Sequence, residues 1–553
     1  MSAIKRAVVV GAILALGVAP AGVTAKSTSA TAAKAKAGKS SADAANSSRK
    51  LRKAITSQRM FKHLQALQSI ATEHGGNRAS GFQGYGASVQ YVLTQLRAAG
   101  YNPTTQVFSF VTFQEVSEPT LREVSPTAKT YTQDEFITMS YSGSGDTGVK
   151  TITPIDVNLV PPRGSTSGCE DADFTAAGFT AGNIALMQRG TCPFADKVVN
   201  AQEAGASGAI IFNQGNDPGR MDVVAGTLGE TAQDGDPDPA DVTIPAVGIS
   251  YAEGERLTNE PDPTTGQVIV NAQSDRRMSS NVLADTAGGN PDNVTIVGAH
   301  LDSVPEGPGI NDNGSGSAFN LELAIQMKKQ NIKPTNRVRF AFWGAEESGL
   351  VGATRYVEAI SNEAFDQIAA NLNFDMLASP NHANFVYDGD FSHTPPPATA
   401  PDVNPGAAKI EDDFVDYFDS VGVATEPTAF DGRSDYKPFQ DNGKAAGGLF
   451  SGAEVAKSAA QALKWGGDVG VAFDPCYHQA CDDINNLDLE GFEDLADGGA
   501  HVTALLAEDP ALRDSLEGGA TATAAKKLTR KQKLRLKARK AKMAEYRGSK
   551  LAR

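Results

Sequence analysis

The sequence predicts an α/β protein built on a mostly parallel sheet with helices on both faces, three layers in all, plus an inserted β-rich unit. Three observations predict it. Apolar strand-like runs alternate with helical stretches between Val294 and Phe374, as parallel strands joined by crossover helices do. Ahead of them, between about residues 125 and 272, short strand-like runs are separated by Gly/Pro/Asp-rich turns. Finally, 553 residues with 40% hydrophobic and 21% charged side chains can fill a large core, which excludes wholesale disorder and a polytopic membrane protein.

From the N-terminus, Lys5 and Arg6 precede an apolar run from Ala7 to Ala19 and then Val23-Thr24-Ala25, so residues 1–25 read as a secretory signal peptide. The run is too short for a membrane span, and no other stretch approaches 18 uninterrupted apolar residues. The expected protein is exported, extracellular and without a transmembrane span. Residues 26–50 are Ala/Ser/Lys-rich and lack large apolar side chains, so they are expected to stay unordered as a propeptide or linker. Residues 51–125 then show periodicity. Phe61, Leu64, Leu67 and Ile70 predict one helix, Val89, Val92, Leu93 and Leu96 a second stopped by Gly100, and Thr105–Phe113 a strand.

In residues 126–274 strands are expected at Phe136–Tyr141, Asp156–Val160, Ile184–Met187, Gly208–Phe212, Val242–Val247 and Val268–Val270, with one helix, Phe194–Ala204. No His, Glu or Asp there clusters with a nucleophile, so the unit reads as a non-catalytic module. Its segment GNIALMQRGTCPFADKVVNAQEAGASGAIIFNQ resembles the protease-associated (PA) domain. Four cysteines in an exported chain predict two disulfides, Cys169–Cys192 within this unit and Cys476–Cys481 further on.

Residues 275–515 carry the alternating pattern: strands at Val294–Ala299, Arg337–Trp343 and Ile368–Phe374, helices at Ser317–Lys329 and Gly349–Ile360. Ligands bind beyond the carboxyl ends of such strands, and His300, Asp302, Glu346, Glu347 and Asp375 all follow strand ends. In AHLDS, His300 can ligate a metal while Asp302 orients its imidazole. Asp312 follows in a Gly-rich loop that opens a helix. The adjacent acids Glu346 and Glu347 repel unless a cation or proton separates them, and Asp375 ends a buried strand and needs a partner. His478 and Tyr477 sit in a loop that the Cys476–Cys481 bridge would close. Two imidazoles and three carboxylates, with Asp312 bridging, give each of two zinc ions three protein ligands and leave Glu346 free to take a proton from water. That donor set predicts metal-assisted hydrolysis.

As an ordered set, AHLDS, GINDNGSGSA, WGAEESGLVGA, NFDML, FDGRSDYKPF and PCYHQACD resemble the secreted double-zinc aminopeptidases of metallopeptidase family twenty-eight. The likeness covers residues 51–115 and 275–510, with the PA domain between. It implies the zinc exopeptidase fold, peptide or protein N-termini as substrate and two zinc ions, one on His300 and Asp375 and the other on Glu347 and His478, bridged by Asp312. It further implies Glu346 as general base, Tyr477 as oxyanion donor, Asp302 as partner of His300, and Arg433 as a substrate contact. Carboxypeptidase and glutaminyl-cyclase relatives share this metal frame, and a non-catalytic surface protein is the reading from a different class. The loop CYHQAC and the motif GRSDY favour the aminopeptidase.

Charge is uneven. Residues 1–63 hold 12 basic side chains and one acid, residues 519–553 hold 13 and one, and residues 64–518 are left with 25 against 63, a net −38 that argues against nucleic acid as a partner. The basic tail, residues 516–553, is expected to be solvated, with an anionic cell wall or surface, or the acidic globule, as its candidate partner.

Overall fold

The computed structural model describes residues 42–217, 220–228, 242–394 and 404–517. The expected signal peptide, residues 26–41 and the basic tail from residue 518 lie outside the described residues. The chain opens with helices α1 (residues 42–54), α2 (Ser57–Glu73) and α3 (Gln83–Ala98). The two expected helices are present, and α3 ends before Gly100, whose φ of +90° suits a residue without Cβ.

Next comes β1 (Thr104–Ser125), which runs antiparallel to β6 (Thr265–Asp285) from Thr104 opposite Leu283 to Ser125 opposite Thr265. Both strands are far longer than the expected Thr105–Phe113 and Val268–Val270. The middle of this ribbon is largely solvated, so hydrophobic alternation fades where backbone pairing continues. The smaller lobe hangs from its far end: β2 (Lys150–Ile155), β3 (Ile184–Gln188), β4 (Gly208–Phe212) and β5 (Ala246–Ile249) lie parallel in that order, and β2 also pairs with β6. Strands β3 and β4 are buried at every position, hence their continuous apolar runs. The strand expected at Asp156–Val160 lies one segment earlier, in β2. Asp156 turns at φ +41°, and Val157 and Leu159 pack on the core from an irregular segment. Helix Phe194–Glu203 is as expected; helix Tyr251–Asn259 was not foreseen.

The larger lobe continues with β7 (Asn290–His300), α4 (Gly316–Lys329), β8 (Asn336–Trp343), β9 (Ile368–Phe374), α5 (Pro405–Val421), β10 (Ala445–Phe450) and α6 (Leu489–Glu508). Its sheet runs β10, β9, β7, β8, β6, with the first four parallel and β6 antiparallel to β8. One face buries Phe319, Phe374, Phe414 and Phe492 beneath α2, α4, α5 and α6; the other buries Trp343 and Tyr356 beneath helix Val351–Ala359. This is the expected three-layer α/β fold with the smaller lobe inserted between β1 and β6.

Residues 42–50 depart from the expectation of no order. They begin α1, where Ala44, Ser47 and Ser48 are buried, Ser47 donates to Glu508 and Ser48 bonds the His501 ring. Small side chains let α1 lie close against α6 and anchor by hydroxyl bonds rather than by apolar bulk.

Candidate active site

Parallel strands β7, β8 and β9 end on one edge of the sheet, with His300 in register with Trp343 and Gly298 with Asn373. That register delivers His300, the turn with Glu346 and Glu347, and Asp375 to one place. His300 is 1% exposed. Its Nε2 stands 3.2 Å from Asp312 Oδ1, 3.3 Å from Asp375 Oδ1 and 3.9 Å from Glu346 Oε2. His478 Nε2 stands 3.3 Å from Asp312 Oδ2 and 3.1 Å from Glu347 Oε2. The two oxygens of Asp312 therefore face different histidines, and His300, Asp312 and Asp375 on one side and Asp312, Glu347 and His478 on the other each gather ligand atoms closely enough for a metal ion.

Asp312 lies in the tight turn Ile310–Ser315 that opens α4, where Asp482 accepts the Asn311 amide at 2.8 Å and the Asp312 amide at 3.0 Å. Glu346 follows a turn in which Ala345 takes φ +55° and donates its amide to Ser80 Oγ at 2.7 Å. Asp375 Oδ2 accepts from Ser434 Oγ. Tyr477 stacks on the His478 ring and receives Arg433 Nη2 on its hydroxyl at 3.1 Å, while Arg433 Nη1 pairs with Glu454 at 2.8 Å. Both disulfides form as expected. Asp474 accepts the Cys476 amide and, with Asp482, bonds Asn486, so a carboxylate lies at each side of the His478 loop.

The electrostatics are those of too many carboxylates without cations. Burial opposes charge on His478, but Glu347 and Asp312 carry it up to about 11. His300 is likewise raised despite burial, chiefly by Asp375 and Glu346. Burial, then the Asp312 charge, pushes Glu347 up to about 7. Burial also lifts Glu346 well above the usual range, helped by Asp435 and Glu347. Glu347 Oε1 and Asp375 Oδ1 are buried and accept no hydrogen bond among the described residues. Imidazoles and free carboxylate oxygens without thiolate fit one or two divalent ions of the zinc type.

All nine expected site residues meet here, and one contact differs in detail. Asp302 Oδ1 is 3.7 Å from His300 Nδ1, beyond hydrogen-bond range; the nearer acceptor is the Asp302 carbonyl at 3.2 Å, and Asp302 Oδ1 takes the Glu346 amide at 3.3 Å. Sequence reasoning missed Arg78, Ser80, Ser434, Asp435, Asp474 and Asp482, which surround the ligands. Asp435 is fully buried with neither oxygen hydrogen-bonded among the described residues, and its place in GRSDY beside Arg433 was the available signal. The other five histidines make contacts elsewhere: His63 bonds Glu322 and Tyr91, His74 the Ile70 carbonyl, His382 pairs with Asp488, His393 bonds Ser392, and His501 bonds Ser48.

Residues 281–503 match peptidase family M28 and residues 155–257 match the PA domain. The chain is 44% identical over 460 residues to an aminopeptidase of Pseudomonas aeruginosa, covering 82% of each chain. It is 40% identical to the probable lipoprotein aminopeptidase LpqL of Mycobacterium tuberculosis, covering 84% of this chain and 88% of that one. Among solved structures, the aminopeptidase of Aneurinibacillus sp. strain AM-1 superposes with a TM-score of 0.61 at 26% identity, covering 82% of this chain and 95% of that one. With two such relatives matching most of its length and strand-end acids ordered as the motifs require, the chain belongs to peptidase family M28 and carries an inserted PA domain.

Proposed function

We propose that the protein is an exported zinc aminopeptidase that removes N-terminal residues from peptides with two zinc ions and a glutamate base. The observation that carries this reading is Asp312, whose two oxygens face His300 and His478 separately at 3.2 and 3.3 Å. His300 and Asp375 would hold one ion, Glu347 and His478 the other, and Asp312 both. Bound there, the ions would polarise the scissile carbonyl and acidify the attacking water.

The chain's own groups supply the rest. Glu346, adjacent to ligand Glu347, accepts the water's proton and returns it to the leaving amine. Tyr477 offers its hydroxyl to the developing oxyanion, and Arg433 fixes that hydroxyl from behind. Asp302 aligns the Glu346 turn through its amide as well as standing beside His300. The cleft is lined by Met376, Tyr387, Phe450 and Ala453 beside Asp431 and Arg433, which suits an apolar N-terminal side chain. The α-amino group would meet a carboxylate, Glu346 or Asp375. Arg433 is already paired with Glu454, so it is not a free receptor for a substrate carboxylate as a carboxypeptidase would require.

Domain limits of 51–125 and 275–515 for the peptidase and 126–274 for the PA domain belong to this reading, as do signal-peptide export and a basic tail resting on an anionic surface. Two disulfides accord with an oxidising compartment, and among the described residues no helix is long and apolar enough to cross a membrane. The test is hydrolysis of free and N-acetylated aminoacyl anilides before and after chelation. Cleavage of the free amines alone, lost on chelation and restored by zinc, is expected; cleavage of the acetylated series at equal rates contradicts the exopeptidase reading.

A further inference from the structure

Arg78 lies in the turn between α2 and α3, outside the residues that match the peptidase family. Its side chain is completely buried, yet among the described residues no carboxylate lies within ion-pair distance of it. Instead its guanidinium is spent on backbone carbonyls: Nε donates to Pro308 at 2.8 Å, Nη1 to Leu301 and Nη2 to Gly309. Leu301 directly follows His300, and Gly309 precedes Asp312 by three residues. One planar fork thus ties the strand end that bears His300 to the loop that bears Asp312. Gly309 is shaped for this: at φ +58°, a Cβ would fall 2.3 Å from the Asp312 carbonyl and 2.4 Å from Ser303 Cβ.

The opposite side of the loop is held by an opposite charge. Asp482 takes the amides of Ile310 on its own carbonyl and of Asn311 and Asp312 on its carboxylate. Burying an unpaired guanidinium is costly, and here burial pushes it down to about 10 against the counter-pull of Asp302, Asp482, Asp312 and Glu347. Two residues along, Ser80 holds the turn of Glu346, so this short segment touches both the ligand loop and the base.

We propose that Arg78 is a positioning residue for the reaction: its fork on the carbonyls of Leu301, Pro308 and Gly309 fixes His300 against Asp312 and so sets the geometry of the ion they share. This rests on the reading that His300 and Asp312 ligate one ion. Arg78→Lys keeps the charge and loses the fork, and Arg78→Met loses both. Full-length proteins are stripped and titrated with cobalt(II), read by visible absorption, chelator competition and far-UV circular dichroism. Wild-type protein comes first: failure to show two coordinated cobalt ions refutes the ligand reading, independently of Arg78. Given two, both variants are expected to fold, to bind cobalt about 10–100-fold more weakly with shifted absorption bands, and to lower kcat while KM changes little. Lysine is expected not to rescue. The proposal is overturned if lysine restores affinity, bands and kcat, since charge would then suffice; if either folded variant matches wild type; or if neither variant folds, which makes the arginine purely structural.

Discussion

Asp482 accepts the backbone amide of Asp312 at 3.0 Å, so the residue that follows Cys481 fixes the carboxylate shared by His300 and His478. The loop that carries His478 and the turn that carries Asp312 are one construction, joined also by Asp474 through Asn311. Asp482→Asn turns a donor toward one of two amides and breaks that joint. Zinc affinity and turnover are expected to fall about 10–100-fold together, measured by chelator competition and anilide hydrolysis. Unchanged affinity with unchanged kcat would separate the two loops.

The adjacent acids have different neighbours: Glu347 Oε2 faces His478 at 3.1 Å, while Glu346 Oε2 approaches His300 only to 3.9 Å. Glu346→Gln keeps shape and cannot accept a proton, so kcat should fall by about two orders of magnitude or more with zinc content intact. Glu347→Gln should lose zinc. The opposite pattern of metal content would exchange their roles.

Tyr477→Phe removes a hydroxyl that accepts from Arg433 and keeps the ring that stacks on His478, so kcat should fall by about 10²–10³ with zinc unchanged. Replacing both Cys476 and Cys481 by Ser frees a loop already pinned by Asp474 and Asp482, and the expected result is weaker zinc binding and slower turnover with only a modest drop in Tm. Full zinc affinity in the double variant would show that the carboxylates alone restrain the loop.

Helix α1 offers a pH dependence away from the metals. Burial, then Arg52, holds His501 down to about 4, below its usual range. The folded state therefore binds fewer protons than the unfolded one between that value and about 6.5, so stability is present above pH 6.5 and is lost as pH falls toward 4. Tm measured over this range should fall more steeply for wild type than for His501→Gln. Parallel slopes would contradict the assignment.

How much was legible follows from where each contact's information lies. His300, Glu346, Glu347 and Asp375 were legible because parallel strands end on one edge, and local sequence marks a strand end. Arg78 and Asp482 were not, because each acts on backbone groups more than 160 positions away, and backbone partners leave no trace in residue type. The same holds for the ribbon of β1 and β6, whose pairing outlasts its hydrophobic pattern, and for α1, whose small residues looked like a linker.

The central claim is that Asp312 bridges two ions, and metal counting on purified protein tests it most directly. Wild type should hold two zinc ions per chain, while Asp312→Ala, which takes a ligand from both at once, should hold one or none and lose hydrolysis. Two zinc ions retained in Asp312→Ala with near wild-type activity would contradict the account.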